Sequence, residues 1–91
     1  MPVHLFGQLK CTSEAQCAAV RVHLPTHISL SRAEPGCLNF EVIPGDDPMI
    51  WLVRESFLDR PSFEAHQARM KGSAWAEATV DIEREYQVIE D

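Results

Sequence analysis

The sequence predicts an α+β fold in the order β-α-β-β-α-β, a four-stranded antiparallel sheet carrying both helices on one face. Three observations lead there. Four segments show the two-residue alternation of half-buried strands, two segments with helical spacing separate them, and the turn formers Pro44-Gly45-Asp46-Asp47-Pro48 join the second and third strands directly.

From Val3 to Cys11, Val3, Leu5, Gly7, Leu9 and Cys11 alternate with His4, Phe6, Gln8 and Lys10, which reads as the first strand. Ser13-Glu14-Ala15-Gln16 has the form of a capping box, and Cys17, Val20, Leu24, Ile28 and Ser31 follow on one helical face to about Ala33. Pro25 removes an amide donor and crowds the Arg21 carbonyl, so a kink or change of pitch is expected near Leu24. Glu34-Pro35-Gly36 stops the helix, because Gly36 can take a positive φ.

Cys37 to Ile43 alternates as the second strand, with Asn39 and Glu41 facing away from Leu38, Phe40 and Val42, towards a partner subunit or solvent. Met49 to Phe57 is the third, with Met49, Trp51, Val53, Glu55 and Phe57 on one face. Asp59 is the expected N-cap of the second helix, Pro61 fits its first turn, and Phe63, His66, Gln67 and Met70 form its inner stripe to Met70. After Lys71-Gly72-Ser73, Ala74 to Ala78 has room for one further turn. Asp81 to Ile89 alternates as the last strand, with Ile82, Arg84, Tyr86 and Val88 on one face.

This order is the ferredoxin-like split βαβ arrangement. Two helices on one side of the sheet are not expected to bury Phe6, Phe40, Trp51, Phe57 and Tyr86 together, so a second copy pressed on the open face is the economical cover. Residues 1–91 are expected to form one domain, marginal in stability as a monomer at this length.

A net charge of −6 without any Lys/Arg run argues against nucleic acid or an anionic membrane as partner, and favours a small molecule. Three cysteines without CxxC spacing suggest reduced thiols, and no apolar run approaches the roughly 20 residues that span a bilayer, so a soluble cytoplasmic protein is expected.

Ala33-Glu34-Pro35-Gly36-Cys37-Leu38-Asn39-Phe40, Asp47-Pro48, Glu55-Ser56-Phe57-Leu58-Asp59 and Phe63-Glu64-Ala65-His66 together resemble the antibiotic biosynthesis monooxygenase family over essentially the whole chain. The most specific part is the ordered set of E-x-G-C before the second strand, E-x-aromatic at the end of the third, and aromatic-x-x-H in the second helix. The resemblance implies a dimeric α+β barrel in which two sheets face each other, with a substrate cavity between sheet and helices. It also implies oxidation of a quinol or polyhydroxy-aromatic by O₂ without flavin, haem or metal. Haem-degrading members carry a tryptophan at the end of the third strand and a haem-ligating histidine after the second helix; Phe57 and Ala76 stand there in this chain. A phospho-sugar isomerase of the same family would want a phosphate loop, which Arg32, Arg54, Arg69, Lys71 and Arg84 do not form.

Chemistry of this kind needs a base, a hydrogen-bond donor and a dry pocket. His66 on the inner helical stripe, as the base, and Glu55 on an apolar strand face, to orient its ring or hold the imidazolium, are the candidate catalytic pair, and Asn39, Trp51, Phe57, Phe63, Tyr86 and Arg84 are candidates to contact substrate. The same pair could instead hold helix and sheet in register, and Arg84 competes with His66 as the partner of Glu55. A non-redox isomerase or lyase using the same base, and a dimeric binding module without turnover, are the competing functions. His23 and His27, at i and i+4, have a zinc-compatible spacing but lie off the apolar stripe, so they are read as solvated. No metal or other cofactor is expected.

Overall fold

The computed structural model describes all 91 residues, Met1–Asp91. Its elements are β1 (Val3–Lys10), α1 (Glu14–Arg32), β2 (Cys37–Pro44), β3 (Ile50–Phe57), α2 (Arg60–Met70), α3 (Ala74–Ala78) and β4 (Glu83–Glu90). The four strands form one antiparallel sheet in the order β2-β3-β1-β4, which is the ferredoxin-like arrangement.

Strand register decides what the helices cover. Val3 lies opposite Phe57, Leu5 opposite Glu55 and Leu9 opposite Trp51, while Phe40 meets Glu55 from the other side. Glu55 therefore sits mid-sheet on the helix-covered face, flanked by Leu5 and Phe40. Gly7 permits close approach of β4, since a Cβ there would lie 2.0 Å from the Glu85 carbonyl oxygen.

Ser13 caps α1 by accepting from the Gln16 amide at 3.2 Å, but the Gln16 side chain reaches back to the amide of Thr12, one residue earlier than a capping box requires. The helix runs unbroken through Pro25, which is exposed, so the carbonyl left without a donor is open to water. Its buried stripe is Cys17, Val20, Leu24, His27 and Ser31, with Ile28 only half-buried. His27 is thus a core residue and not a solvated one: alternate steps of three and four from Cys17 keep one face inward, and they arrive at 27. Gly36, at φ 84°, turns the chain into β2.

The distribution of aromatics also differs from expectation. Phe40, Trp51 and Phe57 are all buried under the helices, because α3 adds Trp75 to the cover. Of the five residues expected to need a second copy, only Phe6 projects from the open face, where it joins Ile43, Leu52 and Ile89. All three cysteines are free, and burial pushes the Cys11 thiol up to about 11. No helix is long and apolar enough to cross a membrane.

Candidate functional site

Asp59 opens α2 by accepting from the Ser62 amide at 2.9 Å, and this start sets the helical phase that turns Phe63 and His66 towards the sheet. The His66 side chain is completely buried, with the Phe57 and Phe40 rings at 5.0 and 5.4 Å. Its Nε2 lies 3.7 Å from Glu55 Oε1, close enough for electrostatic interaction and too far for a hydrogen bond. Neither atom has another partner.

The other ring nitrogen is firmly held. His66 Nδ1 lies 2.6 Å from Glu34 Oε1. Arg69, one turn further along α2, donates from Nε to Glu34 Oε2 at 2.7 Å and from Nη2 to Ser31 Oγ at 2.9 Å. A continuous line of groups, Arg69, Glu34, His66 and Glu55, thus runs from the partly exposed helix surface to the middle of the sheet.

Burial sets the protonation states. It pushes the Glu55 carboxyl up to about 7, helped by the negative charge of Glu34. Burial also lowers the His66 pKa, with the Glu34 hydrogen bond pulling the other way, and it lowers His27 to about 3. At neutral pH both imidazoles are neutral, while Glu55 stands near its own midpoint. A neutral His66 that donates Nδ1–H to Glu34 presents a bare Nε2 lone pair to Glu55. Small movements that bring the two unpartnered atoms within about 3 Å allow a proton to pass between them.

Glu55 also borders a cavity between sheet and helices, together with His27, Gln67, Met70, Trp75, Arg84 and Tyr86 among its lining. The cavity holds about 50 Å³ of space reachable by a water molecule, enough for O₂ or a few waters and short of an aromatic ring. His66 lies behind Glu55 and does not line it. His27 stacks flat on Trp75, with centroids 4.5 Å apart, and the two rings also border an outer groove of about 130 Å³ with Arg69 and Leu30. This stacked pair is therefore the wall between interior and groove.

Arg84 and Tyr86 line the cavity, and burial pushes the Tyr86 phenol up to about 12. The alternative pairing of Arg84 with Glu55 does not occur. Arg84 donates to Thr79 O at 2.8 Å, Thr79 Oγ1 at 2.6 Å and Ile82 O at 3.0 Å. Register explains this: Arg84 is opposite Leu9 and Glu55 opposite Leu5, on the two sides of β1 and about 13 Å apart along the strands.

Phe57 packs on His66, and Phe63 packs on Phe57 at 5.7 Å, so both support the histidine without lining the cavity. Trp51 is buried further along β3 with its Nε1 unpartnered. Asn39, opposite Ser56, belongs to the open face and to a shallow hollow of about 440 Å³ with His4, Phe6, Arg54 and Ile89. His4 there bridges Ser56 Oγ at 2.7 Å and Asp91 Oδ2 at 2.9 Å. The order is that of a nucleophilic triad, but Asp91 is 65% exposed and water has free access to the hydroxyl.

Glu34 and His27 escaped sequence reasoning as site residues. Glu34 carried a signal, since it is the first residue of the E-x-G-C pattern and E-x-G-C, E-x-aromatic and aromatic-x-x-H now converge as Glu34, Glu55 and His66. His27 carried only its phase on α1.

The sequence model of the family described as antibiotic biosynthesis monooxygenase matches residues 2–78. No curated protein matches the sequence. Among solved structures, a Nitrosomonas europaea protein provisionally named as an antibiotic biosynthesis monooxygenase superposes with a TM-score of 0.83 at 19% identity, covering 100% of this chain and 98% of that one. Rv0793 of Mycobacterium tuberculosis gives 0.78 at 18%, covering 100% and 95%. SnoaB of Streptomyces nogalater, described as a cofactor-independent oxygenase, gives 0.82 at 12%, covering 99% and 92%. Identities this low establish the shared fold and nothing finer.

Proposed function

The chain belongs to the antibiotic biosynthesis monooxygenase family, and from that premise we propose that it is a cofactor-independent monooxygenase oxidising a quinol or polyhydroxy-aromatic small molecule with O₂. The observation that carries this reading is the buried pair Glu55 and His66 behind the cavity, two unpartnered atoms 3.7 Å apart with Glu55 poised near neutrality. SnoaB, described as working without a cofactor on the same fold, lends it support.

In this reading Glu55 takes a phenolic proton from the substrate and His66, behind it, is the next acceptor. The electron-rich anion transfers electrons to O₂; one oxygen atom enters a ring carbon, the other leaves as water, and all four electrons come from the substrate. Arg84 and Tyr86 are the substrate contacts that share the cavity wall with Glu55. Phe57 and Phe63 fix His66, while Trp51 and Asn39 lie outside the cavity. A ring needs more room than the closed cavity offers, and the stacked His27 and Trp75, with the unbranched Met70, form the part of the wall that must yield. A second copy of the chain on the open face would cover Phe6, Ile43, Leu52 and Ile89 and the shallow hollow. The three free thiols suit the cytoplasm.

A base beside a small cavity also suits an isomerase or lyase that moves a proton next to a carbonyl. Oxygen uptake with a panel of quinols and polyhydroxy-aromatics, in chelator-treated, flavin-free buffer, separates the two. The oxygenase consumes O₂ above the autoxidation rate and stops under argon. Turnover that persists under argon assigns the isomerase or lyase instead, and ligand-induced thermal stabilisation without product assigns a binding module.

A further inference from the structure

The mechanism just proposed gives no work to Glu34, yet Glu34 makes the shortest contact that His66 has. It lies in the turn between α1 and β2, where Gly36 reverses the chain, and its two oxygens are divided between His66 Nδ1 at 2.6 Å and Arg69 Nε at 2.7 Å. Ser31, fully buried on the last turn of α1, holds the far end of Arg69 at 2.9 Å. The carboxylate is thus held by two residues of α2, one of them anchored in turn to α1, and cannot rotate without breaking two charge-assisted hydrogen bonds.

We propose that Glu34 is the positioning residue of this site: it holds the His66 ring in the Nδ1–H form, so that the Nε2 lone pair stays turned to Glu55 and receives the proton that Glu55 takes from the substrate. The inference deepens the oxygenase reading and rests on it for the proton's origin. Free imidazole favours the opposite, Nε2–H, tautomer, which would set a hydrogen against the face of Glu55 and block transfer. A carboxylate at Nδ1 reverses that preference, as it does for histidines oriented by a buried aspartate. The protons balance: the substrate hydroxyl loses one to a Glu55 oxygen, Glu55 passes it to Nε2, and the imidazolium that forms faces the Glu34 carboxylate. The same proton returns by the reverse path to the oxygen that leaves as water, whose second proton is the one lost from the ring carbon that takes the other oxygen.

The titratable groups around His66 are Glu34 and Glu55, Arg69 on its own helix, and His27 from α1, whose ring centroid is 6.1 Å away. His27 is neutral across the working range. Burial, the Glu34 carboxylate and the Arg69 charge therefore set how the ring titrates.

The wild-type test needs no substrate. Long-range ¹H–¹⁵N NMR of the histidine side chains at pH 7.5 is expected to show His66 protonated on Nδ1 and bare on Nε2; the reverse pattern overturns the inference by itself. In Glu34→Ala the ring is expected to shift towards Nε2–H, and in the active enzyme kcat should fall about 10- to 100-fold, with KM changed less than about twofold. Glu34→Gln, which keeps an acceptor at Nδ1 and loses the charge, should retain the tautomer, lower the His66 pKa further and recover part of the rate. An Ala variant with unchanged tautomer and rate overturns the inference. Should the Ala variant fail to fold, the wild-type spectrum and the pKa of His66 in the Gln variant decide. The expected spectrum in a protein that consumes no oxygen supports the role of Glu34 in orienting the ring and counts against the oxygenase reading alone.

Discussion

Replacing Glu55 with glutamine tests the electrostatics of the site without any substrate. Burial and the Glu34 charge raise the Glu55 pKa from 4.5 to about 7. Between those values the folded chain keeps a proton that the unfolded chain has released, so stability from this group is fully present below about pH 4.5 and is lost as pH rises through about 7. At about 1.4 kcal/mol per pH unit, the full loss is about 3 kcal/mol above pH 8, an upper figure because water reaching the cavity would reduce it. Glutamine has no charge to desolvate. Glu55→Gln should therefore match wild type within about 1 kcal/mol at pH 5 and be more stable by about 1 to 3 kcal/mol at pH 8.5. For a chain of this size each kcal/mol moves Tm by about 4–8 °C. Urea denaturation followed by the fluorescence of Trp51 and Trp75 measures it, at one protein concentration throughout, since self-association would add to stability. The difference between the two proteins is the informative quantity, because the depressed pKa values of His27 and His66 give the wild-type curve an opposite slope at acid pH. A difference that does not change between pH 5 and 8.5, or a variant less stable than wild type at pH 8.5, would refute the assignment of a desolvated carboxyl.

Trp75→Ala removes a buried ring stacked on His27 and should cost about 3–5 kcal/mol in urea denaturation while opening the cavity to the outer groove. Gly36→Ala places a side chain at φ 84° with its Cβ 2.2 Å from Ser62 Oγ, so a loss of about 1–3 kcal/mol is expected, and an unchanged Tm would mean that this turn relaxes freely. If a second copy covers the open face, Phe6→Glu combined with Leu52→Glu should convert a dimer to a monomer in sedimentation velocity. A monomeric wild type at micromolar concentration would remove that interface.

Much of the fold was legible because its signals are local. Alternation in four strands, the Asp59 cap and the turn formers at Pro44 to Pro48 each act within a few residues, and the observed order of strands and helices along the chain follows from them. The sites of failure were relational. Whether His27 points inward depends on the phase of α1, which an apolar stripe drawn through Ile28 gets wrong by one residue. Whether Arg84 reaches Glu55 depends on register across two strand pairs, and no spacing within one strand contains that information. The inward direction of Glu55 and His66 was legible because each lies on an apolar face of its own element. Glu34 lies in a turn, where no periodicity exists to mark it, and only its place in the E-x-G-C pattern pointed towards a role. The size of the cavity was invisible for another reason: it depends on how the side chains of four elements pack, with α3 and Trp75 closing a space that two helices alone would have left open.

The most direct test of Glu55 as the base of a cofactor-independent oxygenase is the pH dependence of kcat/KM for oxygen uptake, with the best quinol substrate, in wild type and Glu55→Gln side by side. A catalytic Glu55 gives wild type a rate that rises through about pH 7, and leaves the folded variant at the autoxidation rate across the range. A variant that keeps wild-type uptake and the same rise near pH 7 would contradict the assignment, because the proton would then be leaving through another group.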